Sequence, residues 1–180
     1  MAYVVAAVVL IGCVSFLNLA LTYGVIRRLR QHTDMLNVRP LTGSVGVSPL
    51  SVGAVVDEFK ASTVSGDSVT RDAFTGQTLL GFFSPDCPAC TAEIGRFVEV
   101  ARSKGPDDVW AVVVGEPDRV ISTVERLTPD VGTVICEGTK SEILAAFGVV
   151  GFPAFFLMGD GGVVRAIAIR TDEALATTTA

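Results

Sequence analysis

From Gln77 to Ile169, short apolar runs of strand length alternate with stretches of helical periodicity, and this alternation constrains the fold more than any other feature of the chain. The runs "QTLLGFF" (77–83), "VWAVVVG" (109–115) and "VGTVIC" (131–136) are nearly unbroken by polar residues, which suits strands buried on both faces. Helical patterns follow each of them. In "PACTAEIGRFVEVARSK", Ile94, Phe97, Val98 and Ala101 share one stripe before Gly105 and Pro106 stop the helix. In "PDRVISTVERL" the expected apolar face is Val120, Ile121, Val124 and Leu127, and "KSEILAAF" forms a shorter helix. After "GVVGFP", the runs "AFFLM" and "VVRAIAI" flank Gly159-Asp160-Gly161-Gly162, a hairpin signal. Upstream, "VVDEFKASTVSGDSVTRDAF" reads as short strands around a Ser65-Gly66-Asp67 turn. Crossovers followed by a terminal hairpin imply an α/β domain with a central mixed sheet and helices on both faces.

The start of the chain follows different physics. From Tyr3 to Ile26 there is no charge over 24 residues, and a helix of that length at about 1.5 Å per residue crosses the roughly 30 Å apolar core of a bilayer. Nothing basic precedes the run, and it exceeds signal-peptide length, so an uncleaved transmembrane anchor is expected. Isolated polar residues within it (Cys13, Ser15, Asn18, Thr22) can bond to helix backbone. The expected organisation is an anchor with its basic flank over 1–30, a Gly-, Ser- and Pro-containing flexible linker over 31–51, and a folded domain over 52–180. Charge divides accordingly. The stem carries Arg27, Arg28, Arg30 and Arg39 against Asp34, a net +3, and the rest of the chain is −8. So acidic a domain repels nucleic acid phosphates, whereas the arginines suit an anionic membrane surface.

The chemistry of the domain centres on "FFSPDCPAC" (82–90), where Cys87 and Cys90 stand between a strand and a helix. A sulfur at a helix start faces unpaired backbone N–H groups and the positive end of the helix dipole, which stabilise a thiolate, the nucleophilic form. Cys87 is therefore the expected attacking sulfur, and Cys90, one turn further in, can attack the resulting mixed disulfide. Pro88 costs little in the first helical turn, where its missing N–H would have no partner. A zinc site would want four ligands, yet the chain has four cysteines, one of them in the anchor, and one histidine, His32 in the stem. No metal and no bound cofactor are expected. Two unreactive cysteines remain the bland reading. Cys136 ends a parallel strand on the side where Cys87 lies, as a third redox cysteine or as a small apolar core residue. Pro153 in "VGFPAFF" stands before a strand as a cis-proline or an ordinary strand-entry residue. Glu93, Glu99 and the other helix acids read as a solvated face.

Strand, CxxC, helix and a late "GFP" before a terminal hairpin resemble the thioredoxin fold. With the anchor and "FFSPDCPACTAEI", the chain is similar to TlpA/ResA-like membrane-anchored thiol:disulfide oxidoreductases, and closest in layout to their MauD-like members. The resemblance covers roughly Val52 to Ile169. It implies Cys87 as nucleophile, Cys90 as resolving thiol, and Pro153 as a cis-proline that, with Phe152, docks substrate backbone. It further implies a disulfide-containing protein substrate and an upstream thiol donor. Two departures stand out. Asp86 replaces the aromatic residue often found before the first cysteine, and its charge opposes the thiolate and so tunes the site. Gly81 occupies the strand position where thioredoxins often keep a buried acid.

The expected activity is reduction of protein disulfides. A peroxiredoxin-like peroxidase is the alternative within the fold; Ser84 fits its pattern three residues before Cys87, but Leu80 replaces the proline expected seven before. A non-catalytic, membrane-tethered binding module is the alternative outside enzymology. Three arginines after the anchor favour a cytoplasmic domain by the positive-inside rule, whereas the resemblance implies an extracytoplasmic one, the side preferred here.

Overall fold

The computed structural model describes Tyr3–Val5, Gly12 and residues 48–176. The expected anchor, its arginine flank and most of the linker lie outside these residues, as do Cys13 and His32. Tyr3–Val5 and Gly12 are helical. Among the described residues no helix is long and apolar enough to cross a membrane.

A hairpin of β1 (Lys60–Ser62) and β2 (Ser68–Thr70) opens the domain, turning at Gly66, whose φ of +93° only glycine adopts readily. Then come β3 (Thr78–Phe83), α1 (Pro88–Lys104), β4 (Val109–Val114), α2 (Pro117–Leu127), β5 (Thr133–Glu137), α3 (Glu142–Phe147), β6 (Ala154–Gly159), β7 (Val163–Ala168) and α4 (Thr171–Ala176). The five long strands form one sheet in the order β5-β4-β3-β6-β7. β3 pairs parallel with β4, and β4 with β5, while β6 runs antiparallel to β3 and β7. This is the mixed sheet that the crossovers and terminal hairpin imply.

Alternate strand residues separate two apolar layers. Leu80, Phe82, Val112, Ile135 and Phe156 face α3 and the N-terminal segment, where Phe59, Phe74 and Phe147 pack ring against ring. Leu79, Phe83, Val113, Val134 and Phe155 face α1 and α2. Central strands with both faces covered explain why their sequences are continuously apolar.

Two local readings change. Ile121, expected on the buried face of α2, is 54% exposed, and Thr123 is buried with Val120 and Leu127 instead. At the start of the domain, Ser48 is buried and donates to the Phe147 carbonyl at 2.5 Å, while Leu50 packs on the core. The packed domain thus reaches back at least to Ser48, into residues expected as linker. The same segment touches both edge strands of the sheet, with one bridge from Val55 to Val163 in β7 and one from Thr63 to Ile135 in β5.

Candidate active site

β3 ends buried at Phe83 and delivers the chain into the turn Ser84-Pro85-Asp86, closed by the Cys87 N–H donating to the Ser84 carbonyl at 3.1 Å. Cys87 is extended (φ −100°, ψ 109°) and caps α1, with Pro88 at the first helical position. Its Sγ accepts the Cys90 N–H at 3.3 Å, the role a serine or aspartate oxygen plays at other helix starts. The same sulfur donates to the Phe152 carbonyl at 3.4 Å. Cys87 is half-buried and Cys90 fully buried, and both are free thiols. Burial pushes the Cys90 thiol well above its ordinary value, and its hydrogen bond with Cys87 adds to the effect.

Pro153 is buried, and the Phe152–Pro153 peptide is cis. The structure therefore brings Cys87, Cys90, Phe152 and Pro153 together, joining two segments far apart in sequence. Gly81 has a packing reason: a Cβ there would come within 2.8 Å of the rings of Phe83 and Phe97. An acidic side chain has no room at that point of β3.

Asp86 is not a bare charge. Its Oδ1 is ion-paired with Nη2 of Arg119, in the first turn of α2. Local sequence gives no sign of this partner, because a helix and a strand separate the two. Glu93 is a correction of a different kind. Expected on a solvated face, it is 8% exposed; Oε1 pairs with Arg96 at 3.0 Å, and Oε2 accepts from the N–H (3.2 Å) and Oγ1 (3.1 Å) of Thr171. A signal was available: Cys90, Glu93, Ile94, Phe97 and Ala101 form one helical stripe with Glu93 inside it.

Cys136 stands at the end of β5, opposite Val113, which is itself opposite Phe83, so one strand separates it from β3. It is half-buried and lines a recess with Gly115, Glu116, Pro117 and Val120. Burial raises its thiol, with the neighbouring Glu137 adding. No disulfide links it to the pair. Among the described residues, no group of three or more His, Cys, Asp or Glu is placed to hold a metal ion.

In this sheet the central strand β3 runs into the helix-capping Cys87, beside the cis peptide before Pro153. The match to the AhpC/TSA family covers residues 52–167, from just before the first edge bridge into β7. The chain belongs to the AhpC/TSA family. No curated protein matches it. Solved structures similar to this AhpC/TSA chain include the thioredoxin domain of a thiol-disulfide oxidoreductase from Bacteroides vulgatus (TM-score 0.58, 19% identity, 72% of this chain and 96% of that one). A thio-disulfide isomerase from Thermus thermophilus is similar at TM-score 0.57 and 23% identity, over 72% and 94% of the two chains. StoA from Bacillus subtilis is similar at TM-score 0.53 and 20% identity, over 69% and 98%. At these identities the likeness is one of fold, and the fold is thioredoxin-like.

Proposed function

We propose that the chain is a membrane-anchored thiol-disulfide oxidoreductase that reduces disulfides in other proteins. The observation that carries the reading is the unequal placement of two thiols one helical turn apart: Cys87 reachable at the helix cap, Cys90 buried behind it. Cys87 as thiolate attacks one sulfur of a substrate disulfide; a Cys87–substrate disulfide forms, the substrate bond breaks, and one substrate thiolate leaves. Cys90, passing its proton to the substrate thiolate released in the first step, then attacks Cys87 Sγ. The Cys87–Cys90 disulfide forms, the second substrate thiolate departs, and two electrons have passed to the substrate. A separate dithiol donor restores the pair, and no bound cofactor is needed. Phe152 and Pro153 form the wall beside Cys87 along which substrate backbone lies. Cys136 stays outside this cycle.

The uncharged run from Tyr3 to Ile26 supports anchoring. We place the redox domain outside the cytoplasm, where disulfides need active management, against the pull of Arg27, Arg28 and Arg30. A reporter fused after Ala180 and active on only one side of the membrane decides this point.

The family match favours a second reading, a peroxidase in which Cys87 attacks a hydroperoxide oxygen, water or an alcohol leaves, and Cys90 condenses with the sulfenic acid, releasing water. Ser84 suits it, but Leu80, buried in β3, stands where such enzymes carry proline. Parallel assays of insulin reduction and hydroperoxide consumption with one dithiol donor separate the two. Insulin reduction that depends on Cys87, with slow peroxide turnover, is the expected result; the converse makes the protein a peroxidase.

A further inference from the structure

Asp86 places a carboxylate next to the attacking sulfur in the chain, and a negative charge near a thiolate works against it. The counter-charge comes from α2. Arg119 lies between Asp118 and Val120 in the first turn of that helix, with Glu116 just before it, and its guanidinium is paired with Asp86. An independent contact joins the same two segments. Gly115 packs so closely on Pro85 that a Cβ there would come within 3.2 Å of the proline ring and of Val120. The turn that presents Cys87 is thus held to the start of α2 by one apolar contact and one ion pair. Its other end is fixed by the Cys87 N–H on the Ser84 carbonyl.

We infer that Arg119 is a positioning residue for thiol-disulfide exchange: it holds the Asp86 carboxylate aside and neutralises it, so that anionic groups can approach Cys87. The inference rests on Cys87 being the attacking sulfur. Arg119 and Asp86 side chains are 61% and 52% exposed, so water and salt weaken the pair. The effect is therefore one of several-fold, and it depends on ionic strength.

The test compares a neutral and an anionic reagent, iodoacetamide and iodoacetate, on the reduced full-length protein in detergent, with the modified cysteine located by mass spectrometry. At low salt, Arg119→Gln is expected to slow iodoacetate at Cys87 about threefold and iodoacetamide less, with the difference fading near 0.5 M salt, where screening is strong (about a tenfold effect at most for charges a few ångströms apart in water). Arg119→Lys keeps most of the wild-type rate, and Asp86→Asn with Arg119→Gln restores it. Asp86→Asn alone leaves Arg119 unpaired and is expected to speed iodoacetate. Wild-type rates in Arg119→Gln at low salt would overturn the inference, as would a slowing that Asp86→Asn does not restore, since that marks a merely structural role. If Cys87 is not modified ahead of Cys90 and Cys136, the choice of nucleophile fails instead, and that failure is visible in the wild type alone.

Discussion

At Cys90 the fold sets the protonation state of a single sulfur. Burial raises its thiol above the ordinary value of 9.0, so in the folded protein it keeps its proton at a pH where the unfolded chain has lost it. Over that interval the unfolded state binds fewer protons, and stability falls as pH rises past about 9. The melting temperature of the reduced protein is expected to drop between pH 8 and 10 more steeply than that of Cys90→Ala; parallel declines would contradict the assignment. Gly81 is the opposite case, a residue whose lack of a side chain is the point. Gly81→Ala drives a methyl against Phe83 and Phe97 and is expected to cost about 1–3 kcal/mol in urea unfolding. Sequence alone marks Gly81 as a departure from thioredoxins, whereas the reason for it lies in two rings that only packing brings to one place.

At the scale of elements, the start of α4, described over Thr171–Ala176, is held by a side chain from another helix. Glu93 on α1 ties it down by accepting from the first N–H of α4 and from the Thr171 hydroxyl. Such N–H groups have no partner within a helix and need one from outside. Glu93→Ala leaves two buried donors unsatisfied and is expected to destabilise the domain by about 1–3 kcal/mol. The loss should appear as lower hydrogen-exchange protection in α4, while β3 and β4 open only with the whole domain; unchanged protection at Thr171 would refute the tie. The main elements are largely legible in the sequence, because each strand of the five-stranded sheet is a bounded, mostly apolar run and each long helix a periodic one. Errors arise where one residue must be assigned to a face: Ile121 and Glu93 exchange the environments that their polarity suggests. Helical spacing places Glu93 inside the stripe, and hydrophobicity alone places it outside.

For the molecule as a whole, the sheet carries the two halves of the site at its centre. β3 and β6 are neighbours, so the cysteine turn following β3 meets the Phe152–Pro153 corner preceding β6. That meeting was legible only as a resemblance, since no local pattern states that residues 87 and 152 touch. Arg119 reaches Asp86 in the same way, from a helix attached to the next strand. The account's central claim is a division of labour between two sulfurs, and a trapping experiment reads it directly. Full-length Cys90→Ser, mixed with a disulfide-containing protein, should accumulate a covalent mixed disulfide at Cys87 that dithiothreitol releases, while Cys87→Ser should trap nothing. A trapped adduct at Cys90 or Cys136, or equal insulin reduction by Cys87→Ser and the wild type, would contradict it.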